Sequence, residues 1–123
     1  MVYLPDQRDR RKSARLKRPF SFHLNGDVLK GRDVSEVGIS VYCPNAGKSG
    51  LFYFRSGQKL KDCYIQIEGH TFHFTRLRVA RLEEDEELLL YGIEIDHMLE
   101  PEKQRFHAFY TNLYEQSSKA ETL

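Results

Sequence analysis

No run of the chain approaches the ~20 consecutive apolar residues that a membrane-spanning helix needs. No apolar segment stands near the N-terminus, as a secretory signal would require. Cysteine is scarce: Cys43 and Cys63 are the whole complement. Both fall within alternating patterns, so reduced, buried thiols in a cytoplasmic protein are expected rather than a disulfide framework. Net charge is nearly absent too, at +1 over 123 residues. With 40% hydrophobic and 12% aromatic residues, the chain can bury one modest core, which argues against disorder throughout.

Catalytic signatures are equally scarce. "GKS" at 47–49 resembles the end of a phosphate-binding loop, but the glycine needed five residues earlier is Tyr42, and no helical pattern follows. His70 and His73 stand three apart on a strand, which points them to opposite faces. His97 and His107 have no cysteine or carboxylate at ligand spacing, so no metal site is expected. No nucleophile elbow and no Cys/His pair can be found. An enzyme is not expected, nor any cofactor.

What is present is charge in the wrong proportions locally. Residues 9–20, "DRRKSARLKRPF", hold six basic side chains in twelve positions. Residues 83–87, "EEDEE", are five consecutive acids, read as a solvated hairpin tip. Such polarisation suits an anionic partner on one face.

Between these extremes the chain reads as β. Phe20, Phe22 and Leu24 alternate with Ser21 and His23, and Asn25-Gly26 signals a tight hairpin. A return strand "VLKGRDV" leads into Ser35, then "VGISVYC". "LFYF" at 51–54 suits either a strand or a cap on the core. "KDCYIQIEG" and "TFHFTRLRVARL" follow, with a parity change near Thr75 that predicts a β-bulge. "LLLYGIEID" is the last strand. Glu100-Pro101 then opens a helix whose apolar stripe is Phe106, Phe109, Tyr110 and Leu113. About six strands and one helix predict a small antiparallel β-barrel or sandwich with a C-terminal helix packed on it.

Two motifs flank the first hairpin. Arg11 and Arg15 form Arg-x-x-x-Arg, with Arg10 directly before it; Asp33, Ser35 and Gly38 form Asp-x-Ser-x-x-Gly in "DVSEVG". Antiparallel pairing brings the second beside the first, as two walls of one pocket. An arginine fork can hold a phosphate or guanine O6 and N7. Asp33 can accept from guanine N1–H and N2–H₂, Ser35 can orient Asp33 or reach a phosphate, and Gly38 permits a close backbone path. Lysine lacks the fork and the plane.

"RRKSAR" followed by "DVSEVG", with "LYGIEI" at 90–95 and the terminal helix, resembles the PilZ domain family of bacterial cyclic di-GMP receptors over roughly residues 8–115. The resemblance implies an all-β fold, a six-stranded antiparallel β-barrel with a C-terminal helix. It implies cyclic di-GMP as ligand, with Arg11 and Arg15 on phosphates and guanines, Asp33 and Ser35 on a guanine edge, and Gly38 shaping the turn. Arg10 suits stacking on a second ligand molecule, hence an intercalated dimer. An effector protein would read the outcome, no membrane span is involved, and nucleic acid is not the expected partner. The expected organisation is a flexible end at 1–8, a cyclic di-GMP-binding domain at 9–115 (arm 9–18, barrel 19–97, helix 100–115) and a flexible tail at 116–123. Two alternatives stay open: a scaffold domain that no longer binds nucleotide, and a single-stranded nucleic-acid binder, though no aromatic ladder is evident for stacking.

Overall fold

The computed structural model describes residues 14–44, 54–86 and 88–122. Its six strands are β1 (Leu16–Leu24), β2 (Asp27–Val34), β3 (Gly38–Tyr42), β4 (Lys59–Ile67), β5 (His70–Asp85) and β6 (Leu88–His97). Among the described residues one helix, α1 (Glu100–Thr122), follows them. All strand pairs are antiparallel, and the order β1-β2-β3-β6-β5-β4 closes on itself, with Phe22 opposite Ile65 across the β1–β4 seam. The barrel and terminal helix are those the sequence predicts.

Local chemistry sets the corners. Asn25 and Gly26 take φ of 51° and 87°, turning β1 into β2 as Asn-Gly pairs favour. Glu68 and Gly69 do the same between β4 and β5, at 47° and 81°. The expected bulge falls between Arg76 and Leu77, so the inward set changes from Phe72 and Phe74 to Leu77 and Val79. A second shift, between Val79 and Arg81, is not evident in the sequence pattern. Phe54, at the end of the aromatic run, caps the core: its ring is buried 5.0 Å from that of Tyr91, and its N–H donates to the Tyr91 hydroxyl at 2.9 Å. Residues 51–53 lie outside the described residues.

A closed sheet separates its two faces by parity. The row Val34–Ile39–Ile93–Val79 runs across four neighbouring strands, and all four residues are buried in the core. On the outer face, His23, Tyr64 and His73 are register partners on β1, β4 and β5, with the His23 and Tyr64 rings stacked at 4.4 Å. The sequence reading misses this short aromatic row because its members are far apart along the chain.

The helix covers part of the barrel with Phe106, Tyr110 and Leu113, all buried. Phe106 meets Phe72 and Phe74 edge-on at 5.3 and 5.8 Å. The Tyr110 hydroxyl donates to the Ala14 carbonyl at 2.8 Å, fixing the chain just before β1. Two expected boundaries change. The helix continues beyond 115 to Thr122, because "EQSSKAE" contains neither glycine nor proline to stop it. The barrel begins at Leu16 rather than 19, since Leu16 and Lys17 already pair with Val34 and Asp33 ahead of an irregularity before Phe20.

Both cysteines are free and buried. Burial, then the neighbouring Asp62 charge, pushes the Cys63 thiol up to about 11. The unfolded thiol loses its proton at lower pH, so this stabilising contribution is whole below the ordinary thiol range and fades as pH rises toward 11. Thermal unfolding from pH 8 to 11 should therefore show a decline that Cys63→Ser reduces. Phe106→Ala should cost about 3–5 kcal/mol in a denaturant melt, as aromatic truncations in packed cores do.

Candidate functional site

The outer face above that core row carries the expected motif. Lys17, Asp33, Ser40, Gly92 and Arg81 are successive register partners on β1, β2, β3, β6 and β5. Directly opposed residues share a face, so one polar row crosses five strands. Arg15 lies over it, and Arg15, Asp33, Ser35 and Gly38 line a single recess of about 180 Å³. Arg10 and Arg11 lie outside the described residues.

Asp33 is 1% exposed. Its Oδ2 accepts from Arg32 Nε at 3.0 Å, while Oδ1 is buried with no hydrogen-bond partner among the described residues. An ionised oxygen in that state is costly and free to accept a donor brought to it. Asp33 also contributes to the field that holds the Arg15 charge.

Ser35, which lines the same recess, has its hydroxyl engaged within the turn. Its hydroxyl accepts from the Val37 and Gly38 amides at 3.2 and 3.1 Å and faces the Gly38 carbonyl at 3.3 Å. The Ser35 amide donates to that same carbonyl at 2.8 Å. The hydroxyl thus closes the β2–β3 turn from within. Gly38 fits for a steric reason: a Cβ there would stand 2.5 Å from the Ile93 carbonyl oxygen. The turn and β6 can approach this closely only without a side chain.

Arg15 is engaged. Its two terminal nitrogens meet Glu83 Oε1 and Oε2 at 2.8 Å each, and one of them lies 3.3 Å from Ser40 Oγ. Arg81 reaches Glu83 Oε2 at 2.6 Å. The hydrogen bonds that Arg15 donates to Glu83 are the main cause that raises the Arg15 pKa and the main cause that lowers that of the Glu83 carboxyl. Gly92 leaves the space: a Cβ there would come within 3.1 Å of Glu83 Oε2. Arg81, Glu83, Ser40 and Gly92 are the residues sequence reasoning misses. The signal available was the alternation of Arg81, Leu82 and Glu83 at the end of a long strand.

A larger groove, about 780 Å³, lies between the end of β6 and α1. Glu36 and His107, both lining it, pair at 2.7 Å. Among the described residues its lining includes no arginine and none of Asp33, Ser35 and Gly38.

The PilZ domain family matches the chain over residues 7–112. The chain belongs to the PilZ domain family. No curated protein matches it. Among solved structures, this PilZ domain is similar to YcgR of Escherichia coli in complex with c-di-GMP, at TM-score 0.66 and 13% identity, over 92% of this chain and 50% of that one. The isolated PilZ domain of YcgR with c-di-GMP gives 0.64 and 15%, over 93% and 99% of the two chains. The Bacillus subtilis inhibitor of motility, MotI/DgrA, gives 0.57 and 17%, over 85% and 49%. The chain spans about half the length of the full YcgR and MotI chains. At these identities the likeness is one of fold.

Because the Glu83 carboxyl ionises at lower pH folded than unfolded, its clasp stabilises above the ordinary glutamate value of ~4.3. The contribution is lost as pH falls through the lower folded value. Thermal midpoints of the wild type and Glu83→Gln should differ at pH 7, and the difference should shrink below about pH 4.

Proposed function

We propose that this PilZ domain is a cyclic di-GMP receptor that folds its arginine-rich arm over the ligand and passes the signal to a protein partner. The observation that carries the reading is the unsatisfied, buried Oδ1 of Asp33 in one recess with Arg15. A guanine edge offers N1–H and N2–H₂ to such an oxygen, and its O6 and N7 suit an arginine fork. Adenine lacks that pair of donors, so the recess favours guanine. Family membership and the c-di-GMP complexes of the similar YcgR structures support the same ligand.

Arg15 would take a phosphate or guanine together with Arg11, and Arg10 would stack on a second nucleotide in an intercalated dimer. Ser35 serves by holding the turn, and Gly38 by letting that turn sit against β6. Closure begins from a fixed root: Tyr110 holds Ala14, so Arg15 is already placed before ligand arrives. An arm that closes over charge alters the surface a partner meets, which is how order–disorder switches act.

Calorimetric titration of cyclic di-GMP should give saturable binding by the wild type, with a stoichiometry that distinguishes one ligand from two. Arg11→Ala, Arg15→Ala and Asp33→Ala should each reduce affinity by at least about tenfold, in line with loss of a charge-assisted contact. Binding unchanged in all three variants would refute the site. No binding by the wild type would favour the scaffold alternative.

A further inference from the structure

We infer that Glu83 is a resident anion in the ligand seat: it occupies the Arg15 fork, with Arg81 as second holder, and must leave before nucleotide can take that fork. The inference rests on the receptor reading above and deepens it.

The seat is built, since three features converge on one carboxylate. Arg15 presents both terminal nitrogens to its two oxygens at equal 2.8 Å distances, the bidentate geometry a guanidinium also offers to a phosphate. Arg81 binds Oε2 from the same strand two residues away. Gly92 opens the wall behind that oxygen. The Glu83 side chain is only 16% exposed, whereas its neighbour Glu84 is exposed. The second β5 irregularity, between Val79 and Arg81, precedes this arrangement.

Glu83 uses the edge formed by the two terminal nitrogens of Arg15, and a phosphate or guanine gripped at that edge needs the same two nitrogens. One fork edge cannot serve two bidentate partners, so ligand and Glu83 exclude each other there. Once Glu83 withdraws, Arg15 and Arg81 face the same vacated position, and two cations stand where one anion was shared. Glu83 sits next to the β5–β6 tip, so withdrawal needs only a side-chain rotation toward solvent. The departing carboxylate joins Glu84 and Glu86 on the acidic tip. Ligand binding would thereby add negative charge to that end of the hairpin.

A purely structural ion pair predicts the reverse effect on affinity: losing Glu83 would loosen Arg15 and weaken binding. Calorimetry with cyclic di-GMP on the wild type, Glu83→Gln, Glu83→Asp and Glu84→Gln separates the two. Glutamine removes the competing charge. Aspartate keeps the charge but draws it one methylene back from the fork. Glu84→Gln makes the same charge change on an exposed neighbour. Both Glu83 variants should bind about three- to tenfold more tightly, the scale of a partly exposed charge-assisted pair, with Glu84→Gln within about twofold of the wild type. Wild-type affinity in both Glu83 variants, weaker binding in either, or an equal gain in Glu84→Gln would overturn the inference while leaving the receptor reading intact. No binding by any of the four would instead sink the receptor reading. Thermal unfolding of each variant checks the fold, and if the glutamine form is unfolded the aspartate form decides.

Discussion

Every feature of the site depends on the two-residue period of side chains in a closed sheet. Once the register sets Val34, Ile39, Ile93 and Val79 in the core, the neighbouring row of Asp33, Ser40 and Gly92 must face outward. The hydrophobic drive that closes the barrel therefore also assembles a polar strip on its surface, without any contact made for that purpose. Bulges are the means of departure from this rule. The first, after Arg76, keeps β5 in step with the core. The second comes just before Arg81 and Glu83, which lie against Gly92 in that strip.

The site is a balance of charge rather than a collection of cations. A buried carboxylate, Asp33, has one oxygen committed to Arg32 and another unsatisfied. Beside it a guanidinium, Arg15, holds a second carboxylate, Glu83, with both terminal nitrogens. The recess thus contains an acceptor in want of donors and a donor whose acceptor is replaceable. A ligand bearing both an anion and a guanine edge answers the two needs together, whereas a bare phosphate answers one.

Much of this was legible in the chain. Strand periodicity, Asn25-Gly26, the change of parity after Phe74 and the Pro101 helix start each express a local preference that the tertiary structure does not oppose. That Arg15, Asp33, Ser35 and Gly38 share one recess was legible because they stand in compact motifs around one hairpin. What sequence could not supply was pairing across distant strands. Glu83 reads as one acid among five until β5 is laid beside β6 and Gly92 is found opposite Arg81. Ser35 reads as a ligand contact because a hydroxyl near an acid suits that role equally well. Its bonds to the Val37 and Gly38 amides, which close the turn, are not legible in the chain. The helix end at 115 failed for want of a stop signal, since nothing in the following seven residues breaks a helix.

The hydrogen bond from Tyr110 to Ala14 joins positions 96 apart in the chain, and the β1–β4 seam joins Phe22 to Ile65. Pairings at such separation are slow to form, because loop entropy is lost before any contact rewards it. During synthesis β1 would wait, its edge unpaired, until β4 had left the ribosome, and Ala14 would wait for the helix. Ala14, at the root of β1, is therefore anchored only once the helix has formed, although it precedes the whole barrel in the chain.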